Sequence, residues 1–287
     1  MFIAGKLVQL LVVAWLAALT VGAESQCGRL EERLLYTTDE RTEPSEYPWI
    51  GVLLQSTGNG YTNTRCTVVI VNQLHVLTTA TCVKRFKNRT GNVSAVVMVG
   101  VWDESHSPDE EFACNNKGFC VPGPKLYNVA EIKVHPDADK DTGDNDMAIL
   151  RLVEPLEWTN YIQPICMEGN AEPESLINRN LHFTGFTHTD NVKGKGLAMT
   201  VSRQKCKQLT SASTLPPENQ LCGFPVKRTK FYEGTALMDI SVERNVPHSF
   251  YLVALLARVM SVGASTTHIY QDLRRARPWI MENTATK

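Results

Sequence analysis

Eight cysteines carry the first chemical question in this chain of 287 residues: Cys27, Cys66, Cys82, Cys114, Cys120, Cys166, Cys206 and Cys222. Thiolates could hold zinc, and zinc sites bring Cys and His together at short spacings. No Cys-x-x-Cys pair occurs, and the 7 histidines form no cluster of ligand spacing with the cysteines. An even count instead fits disulfide pairing in an oxidising compartment, with about 105 connectivities open on arithmetic alone. No metal and no cofactor is expected.

The N-terminus agrees with that compartment. "MFIAGKLVQLLVVAWLAALTVGAESQC" holds one charge, Lys6, before the apolar run from Leu7 to Val21, and Val21-Gly22-Ala23 offers small residues for a signal peptidase. As a membrane anchor the run is short and lacks a basic stop-transfer flank. Residues 1–23 are predicted to be a cleaved signal peptide, and the mature protein to be soluble, secreted and extracellular. Asn88-Arg89-Thr90 and Asn92-Val93-Ser94 are acceptor sequons in a polar stretch. They mark Asn88 and Asn92 as expected glycosylation sites on an exposed loop. Basic and acidic residues number 29 and 30, so no net field draws the chain to nucleic acid. An apolar content of 43% is that of a protein that buries a full core.

The elements that must position any site are short. After a polar segment over residues 24–46, the runs "WIGVLLQ", "CTVVIVN", "HVLTTAT", "SAVVMVGVW", "MAILRLV", "HFTGFT" and "SFYLVALLARVMSV" alternate with turn-rich stretches such as "STGNG" and "DKDTGDND". Short β-branched and aromatic runs between turn signals predict an all-β sandwich or barrel. Only the end differs. In "IYQDLRRARPWIMEN", Leu273, Ala276 and Ile280 are spaced for a terminal helix, which Pro278 is expected to kink or interrupt.

Ten runs occur in a fixed order: "YPWIGVL" (47–53), "LTTATC" (77–82), "VHP" (134–136), "DNDMAILRL" (144–152), "IQPIC" (162–166), "GFT" (185–187), "NQLCG" (219–223), "EGTAL" (233–237), "YLVALLARV" (251–259) and "IYQDLRRARPWI" (269–280). Together they resemble the chymotrypsin-like serine protease domain over nearly all of the mature chain, here residues 47–287. The resemblance implies two antiparallel six-stranded β-barrels, a cleft between them and a C-terminal helix. It also implies the pairs Cys66–Cys82, Cys206–Cys222 and Cys27–Cys166. Cys114–Cys120 is similar to an insertion of arthropod CLIP-type proteases. The family's disulfide beside the nucleophile has no counterpart, since no cysteine follows Cys222.

Acyl transfer on this fold needs a serine nucleophile, an imidazole base and a carboxylate that orients the imidazole. By resemblance Asp146 stands at the carboxylate position and Thr81 at the base position, where the family has "LTAAHC". A hydroxyl cannot act as a base near neutral pH. His75 lies earlier in the same predicted strand, His135 in a run shared with active relatives, and His106, His182, His188, His248 and His268 in runs without a catalytic pattern. In "KRTKFYEGTALMDI" one register places Glu233 at the nucleophile and Tyr232 at the preceding Asp. The other places Gly234 at the nucleophile. Neither supplies serine. Phe231 takes the place of an oxyanion-hole glycine in the first register. Lys227 or Arg228 falls at the pocket base, and Ala257-Arg258-Val259 replaces the cleft-lining "SWG". An ion pair from Glu233 to one of these cations is expected to close the cleft. "RLLYTTDE" (33–40) holds Arg33 but no "IVGG", so the activation cut has no substrate, and no CLIP domain fits between Ala23 and Tyr47.

The expectation is a catalytically inactive, secreted serine protease homologue. It would serve as cofactor, adaptor or decoy for active serine proteases, or their substrates, in an extracellular innate-immune cascade of the melanisation type. The alternative is a binding module for microbial polysaccharide or polyanionic surfaces. Two basic runs, Lys227-Arg228-x-Lys230 and Arg274-Arg275-x-Arg277, would carry that alternative.

Overall fold

The computed structural model describes residues 27–57, 60–86, 94–108, 110–114, 118–169, 172–225, 230–263 and 265–285. The predicted signal peptide, Asn88, Asn92, Lys227 and Arg228 lie outside the described residues. Among the described residues no helix is long and apolar enough to cross a membrane.

Two closed six-stranded antiparallel barrels form the body. The first is built from β1 (Ile50–Thr57), β2 (Gly60–Ile70), β3 (His75–Thr78), β4 (Ser94–Val99), β7 (Lys125–Val134) and β8 (Ala148–Leu152), in the order β1-β2-β3-β8-β7-β4. The second contains β9 (Asn180–Gly185), β10 (Gly194–Val201), β11 (Gln220–Pro225), β12 (Ala236–Glu243), β13 (Val246–Val262) and β14 (Ser265–Asp272), in the order β10-β11-β14-β13-β12-β9. Closure removes the free strand edges that an open sheet would expose. A two-stranded hairpin, β5 (Phe112–Cys114) with β6 (Cys120–Pro122), stands off the first barrel and is closed by Cys114–Cys120.

The expected barrel architecture and all four expected disulfides are present. The apolar runs read as strands enter both barrels, and their buried residues merge across the interface. Trp49, Val52 and Leu53 of the first barrel share one cluster with Met238, Leu252 and Leu255 of the second. β1 is buried on both faces over Ile50–Leu54, because one face fills its own barrel and the other meets its neighbours.

Three details differ from the sequence reading. The run "HVLTTAT" stops being a strand at Thr78, because Thr79 caps a one-turn helix, α2 (Ala80–Val83), by accepting a hydrogen bond from the Cys82 amide at 3.2 Å. A helix α3 (Arg203–Thr210), capped by Ser202, was hidden in a polar run. At the C-terminus, Leu273 precedes the helix rather than joining it. Pro278 lies in the first turn of α4 (Arg277–Thr284), where its missing N–H has no partner to lose, so it starts the helix instead of kinking it.

The polar segment ahead of the body is docked along it. Its first helix, α1 (Glu32–Leu35), follows the Cys27–Cys166 bridge, and Gly28 bonds to both Pro164 and Phe250 through its backbone at 2.8 Å.

Candidate functional site

Thr81 and Asp146 are brought together by two local devices. The α2 turn directs Thr81 toward the inter-barrel side, and Asn145 adopts a left-handed backbone (φ 51°), which Asn tolerates, just before Asp146 turns inward. The Thr81 amide donates to Asp146 Oδ1 at 2.8 Å, and the Thr81 hydroxyl donates to Oδ2 at 3.0 Å. The Asp146 amide in turn donates to Gln271 Oε1 at 3.2 Å. Burial pushes the Asp146 carboxyl above the ordinary aspartate range, and the two Thr81 bonds pull it back. Lys84 Nζ reaches Thr81 Oγ1 at 3.4 Å and adds a cation at the edge of the unit. The carboxylate is thus satisfied by a threonine, a group that can donate a hydrogen bond to it but cannot carry its charge relation onward as an imidazolium would.

Glu233 lies in a loop sewn to both barrels through its backbone. Its carbonyl accepts from the Thr67 amide at 2.8 Å, while the Gly234 amide donates to Leu256 O at 2.7 Å. Gly234 has φ 84°, and a Cβ there would lie 2.1 Å from Thr67 O, so only glycine fits this crossing. One Glu233 carboxylate oxygen and the sulfurs of Cys66 and Cys82 lie within 4.8 Å of one another. Both sulfurs are spent in the disulfide, so the trio offers no thiolate to a metal.

The residues ahead of Glu233 face other work. Phe231 is buried with its ring 4.9 Å from that of Phe183. The Tyr232 amide donates to Phe186 O at 2.8 Å, and its hydroxyl donates to Glu104 Oε1 at 2.7 Å. Burial raises both the Glu104 carboxyl and the Tyr232 phenol, and the shared bond then lowers the first and raises the second further. Asn63 completes the Glu104 carboxylate at 2.7 Å.

The histidines are dispersed. His188 stands nearest the Glu233 loop, edge-on to Tyr232 at 4.9 Å, with Nδ1 3.1 Å from Arg65 Nη1. Burial and then Arg65 hold its pKa below the usual imidazole value. His75 is buried and bonds Asn72, and His135 packs on Trp279. Neither of these contacts involves Thr81 or Asp146. Arg258 is exposed and sits across the gap from the loop before Asp146, its Nη1 3.1 Å from where a Cβ on Gly143 would be. The basic run at the C-terminus is distributed among separate acids: Arg274 pairs with Asp272 at 2.7 Å, Arg275 with Glu218 at 3.2 Å and Arg277 with Glu172 at 2.9 Å.

Sequence reasoning missed a charged cluster under the N-terminal segment. Lys195 Nζ lies 2.8 Å from Glu46 Oε1 in a pair with both side chains below 10% exposure. Lys193 is buried beside it, donates to Tyr47 O at 3.2 Å, and has its pKa lowered to about 7 by burial, with Glu46 opposing. Arg33, where an activation cut was considered, is clasped by Glu43 at 2.6 Å and Glu31 at 2.9 Å. The run "NVKGKGL" gave no hydrophobic or catalytic signal, so a buried lysine in it was not readable.

Residues 37–230 match the family model described as Trypsin. The chain is 25% identical over 269 residues to Phenoloxidase-activating factor 1 of Holotrichia diomphalia, covering 90% of this chain and 72% of that protein. It is 26% identical over 158 residues to CLIP domain-containing serine protease B10 of Anopheles gambiae, covering 54% of this chain and 43% of the relative. It is 27% identical over 179 residues to Melanization protease 1 of Drosophila melanogaster, covering 58% and 44%. The chain therefore spans less than half the length of the last two.

Proposed function

Because the chain belongs to the trypsin family, we propose that it is a secreted member that has given up peptide hydrolysis and acts by binding. Thr81, Asp146 and Glu233 would be the remnants of the triad. The observation that carries this reading is the Thr81–Asp146 unit: the buried carboxylate accepts from both the amide and the hydroxyl of one threonine, at 2.8 and 3.0 Å. In an acyl-transfer site that carboxylate orients an imidazole, and the imidazole activates serine. Here neither a base nor a serine would stand in those places, and because the triad acts as a unit, loss of either one alone already removes nearly all of its contribution.

A rigid pair of barrels bearing long loops remains a sound platform for partners. Relatives named for phenoloxidase activation and melanization support a role in an extracellular immune protease cascade, as cofactor, adaptor or decoy for an active protease or its substrate. Four disulfides suit that compartment. Residues 1–23 would be removed on secretion, leaving the segment 24–46 ahead of the body from 47 to 287.

Purified protein should neither turn over peptide esters nor react with a fluorophosphonate serine probe. Thr81→His should stay inactive, since an imidazole without a nucleophile has no proton to accept. Ester turnover lost on substituting a residue of the cleft would overturn the reading. Affinity capture of the tagged protein from its native fluid, before and after immune challenge, tests the cascade role. Recovery of active proteases or their substrates supports it, and recovery of polysaccharide alone contradicts it.

A further inference from the structure

Between the N-terminal segment and the second barrel lies a cavity of about 550 Å³, well apart in function from the Thr81–Asp146 unit. Its volume is in the range of small-molecule sites. Residues 34–41 form its roof, and β9, β10 and the Phe231 flank of the Glu233 loop form its floor. The roof is fastened at both ends. Cys27–Cys166 holds one end, and the Arg33–Glu43 pair ties the two ends to each other. At the other, Arg41 pairs with Asp190 at 2.7 Å, and the backbone bonds Lys195 N to Glu40 O at 2.8 Å and Thr42 N to Lys193 O at 2.9 Å.

The walls define what would fit. Leu34, Leu35, Tyr47, Phe183, Leu197 and Phe231 supply an apolar, partly aromatic surface. The two cations that reach the cavity are already matched: Lys195 by Glu46 and Arg41 by Asp190. Asp39 on the roof adds negative charge. An anion entering here would have to break the buried Lys195–Glu46 pair, which is costly away from bulk water, or compete with Asp190 for the exposed Arg41. His182 on the floor is largely buried and held neutral at physiological pH, so it offers a hydrogen bond without a charge.

We propose that this roofed cavity is a binding site for an uncharged small molecule with an apolar or aromatic body, set between the uncut N-terminal strap and the second barrel. The site needs the strap in place, because seven of the nineteen residues that line it belong to residues 34–41. It also touches Phe231, so occupancy bears on the loop that continues into Tyr232 and Glu233. The proposal is independent of whether the former triad turns over substrate.

Fluorescence titration of the secreted full chain with N-phenyl-1-naphthylamine, an uncharged aromatic probe, tests this. One saturable site per chain is expected, with affinity at least about tenfold above that of the anionic probe 1-anilinonaphthalene-8-sulfonate, since among the described residues that line it the cavity has no unmatched cation to receive a sulfonate. Val192→Trp and, separately, Leu197→Trp place indoles in the cavity and should each weaken the uncharged probe about tenfold or more. Val192 is partly buried and Leu197 is exposed, so folding should survive, as the thermal midpoint will confirm. Amide hydrogen exchange on the unaltered protein gives a readout free of substitutions: bound probe should slow exchange in residues 34–41 and 192–197. The proposal is overturned by no saturable binding, by equal or tighter binding of the sulfonate, or by protection confined to other segments.

Discussion

The cleft and the strap are held by different physics. Around the cleft, the locks are covalent or made by backbone: the Cys66–Cys82 bridge, Thr67 N to Glu233 O at 2.8 Å, and Gly234 N to Leu256 O at 2.7 Å. Around the strap, charges add to the Cys27–Cys166 bridge and the backbone bonds of residues 40 and 42: Arg33–Glu43, Arg41–Asp190 and Lys195–Glu46, with Lys193 beside them. Backbone bonds and disulfides do not titrate in the physiological range, whereas ion pairs weaken with salt and, where buried lysine is involved, with pH. On the function proposed above, the cleft region has kept its scaffold after changing its reactive groups. The strap is seated against the second barrel by Arg41–Asp190 and Lys195–Glu46.

The largest effect should come from the covalent lock. Cys66 and Cys82 are 2% and 1% exposed and lie 16 residues apart, against 6 for the exposed Cys114–Cys120 hairpin. Chain entropy alone gives about 3 kcal/mol for the first and about 2 kcal/mol for the second. Loss of the first also leaves two buried thiols or a cavity between β2 and α2, bringing its cost toward the upper part of the usual range of about 2–5 kcal/mol. Secretion yield and thermal midpoint of Cys66→Ala with Cys82→Ala should fall well below those of Cys114→Ala with Cys120→Ala. Equal values would erase the distinction between a core lock and a surface one.

Next comes the backbone crossing. Gly234→Ala forces a side chain into a left-handed backbone and against Thr67 O at 2.1 Å, a combination of strain and overpacking worth about 3 kcal/mol. Urea unfolding measures it. A loss under about 1 kcal/mol, the ordinary range for glycine replaced without conflict, would mean that the Glu233 loop is not seated as described.

A smaller loss is expected at the Thr81–Asp146 unit. Thr81→Val keeps shape but removes the hydroxyl donor to Asp146, leaving a buried carboxylate one bond short at a cost of about 1–3 kcal/mol. Its pH dependence has a definite sign. Burial raises the folded Asp146 pKa, so in the parent protein this group adds stability in acid that is lost as pH rises through the folded value. The Thr81 bonds favour the ionised form and reduce that loss. The valine variant should therefore trail the parent most at pH 7 and approach it near pH 3, where the carboxyl is protonated in both.

How far the sequence foretold this molecule depends on which force was at work. Strand runs such as "WIGVLLQ" and "MAILRLV" were legible because burial repeats along the chain, and the ordered resemblance carried the two barrels and all four disulfides. Thr81 beside Asp146 followed from the same resemblance. Pro278 was misread because a proline that breaks a helix and one that begins it look alike without the preceding strand, and β14 ends at Asp272. Tyr232 meeting Glu104, residues separated by 128 positions, had no local signature. The strap cavity had none either, since "VKGKGL" and "LLYTTDE" are polar or mixed runs whose joint apolar wall exists only after the barrels bring them together.

The strap supplies the last and smallest effect, and the one that most sharply separates the two regions. Lys193 is fully buried, and its pKa is lowered to about 7, by burial first and with Glu46 pulling the other way. In the unfolded chain a lysine titrates near about 10.4. Between those values the unfolded chain binds a proton that the folded one does not, so stability rises with pH, by at most about 1.4 kcal/mol for each unit. The contribution is fully present above the unfolded value and is lost as pH falls through about 7, below which both states carry the proton and the slope vanishes. Lys193→Met preserves the length of the side chain and abolishes the titration. Urea unfolding of both proteins at pH 8 and pH 9 should show the parent gaining on the variant by about 1 kcal/mol over that unit. Cleft variants such as Thr81→Val should leave that gain intact, because Lys193 reaches Tyr47 and Glu46 rather than Asp146. A parent and variant that run parallel across this interval would show that Lys193 keeps its charge when folded, and the strap would then be seated by a fully ionised cluster instead of a neutral lysine in the core.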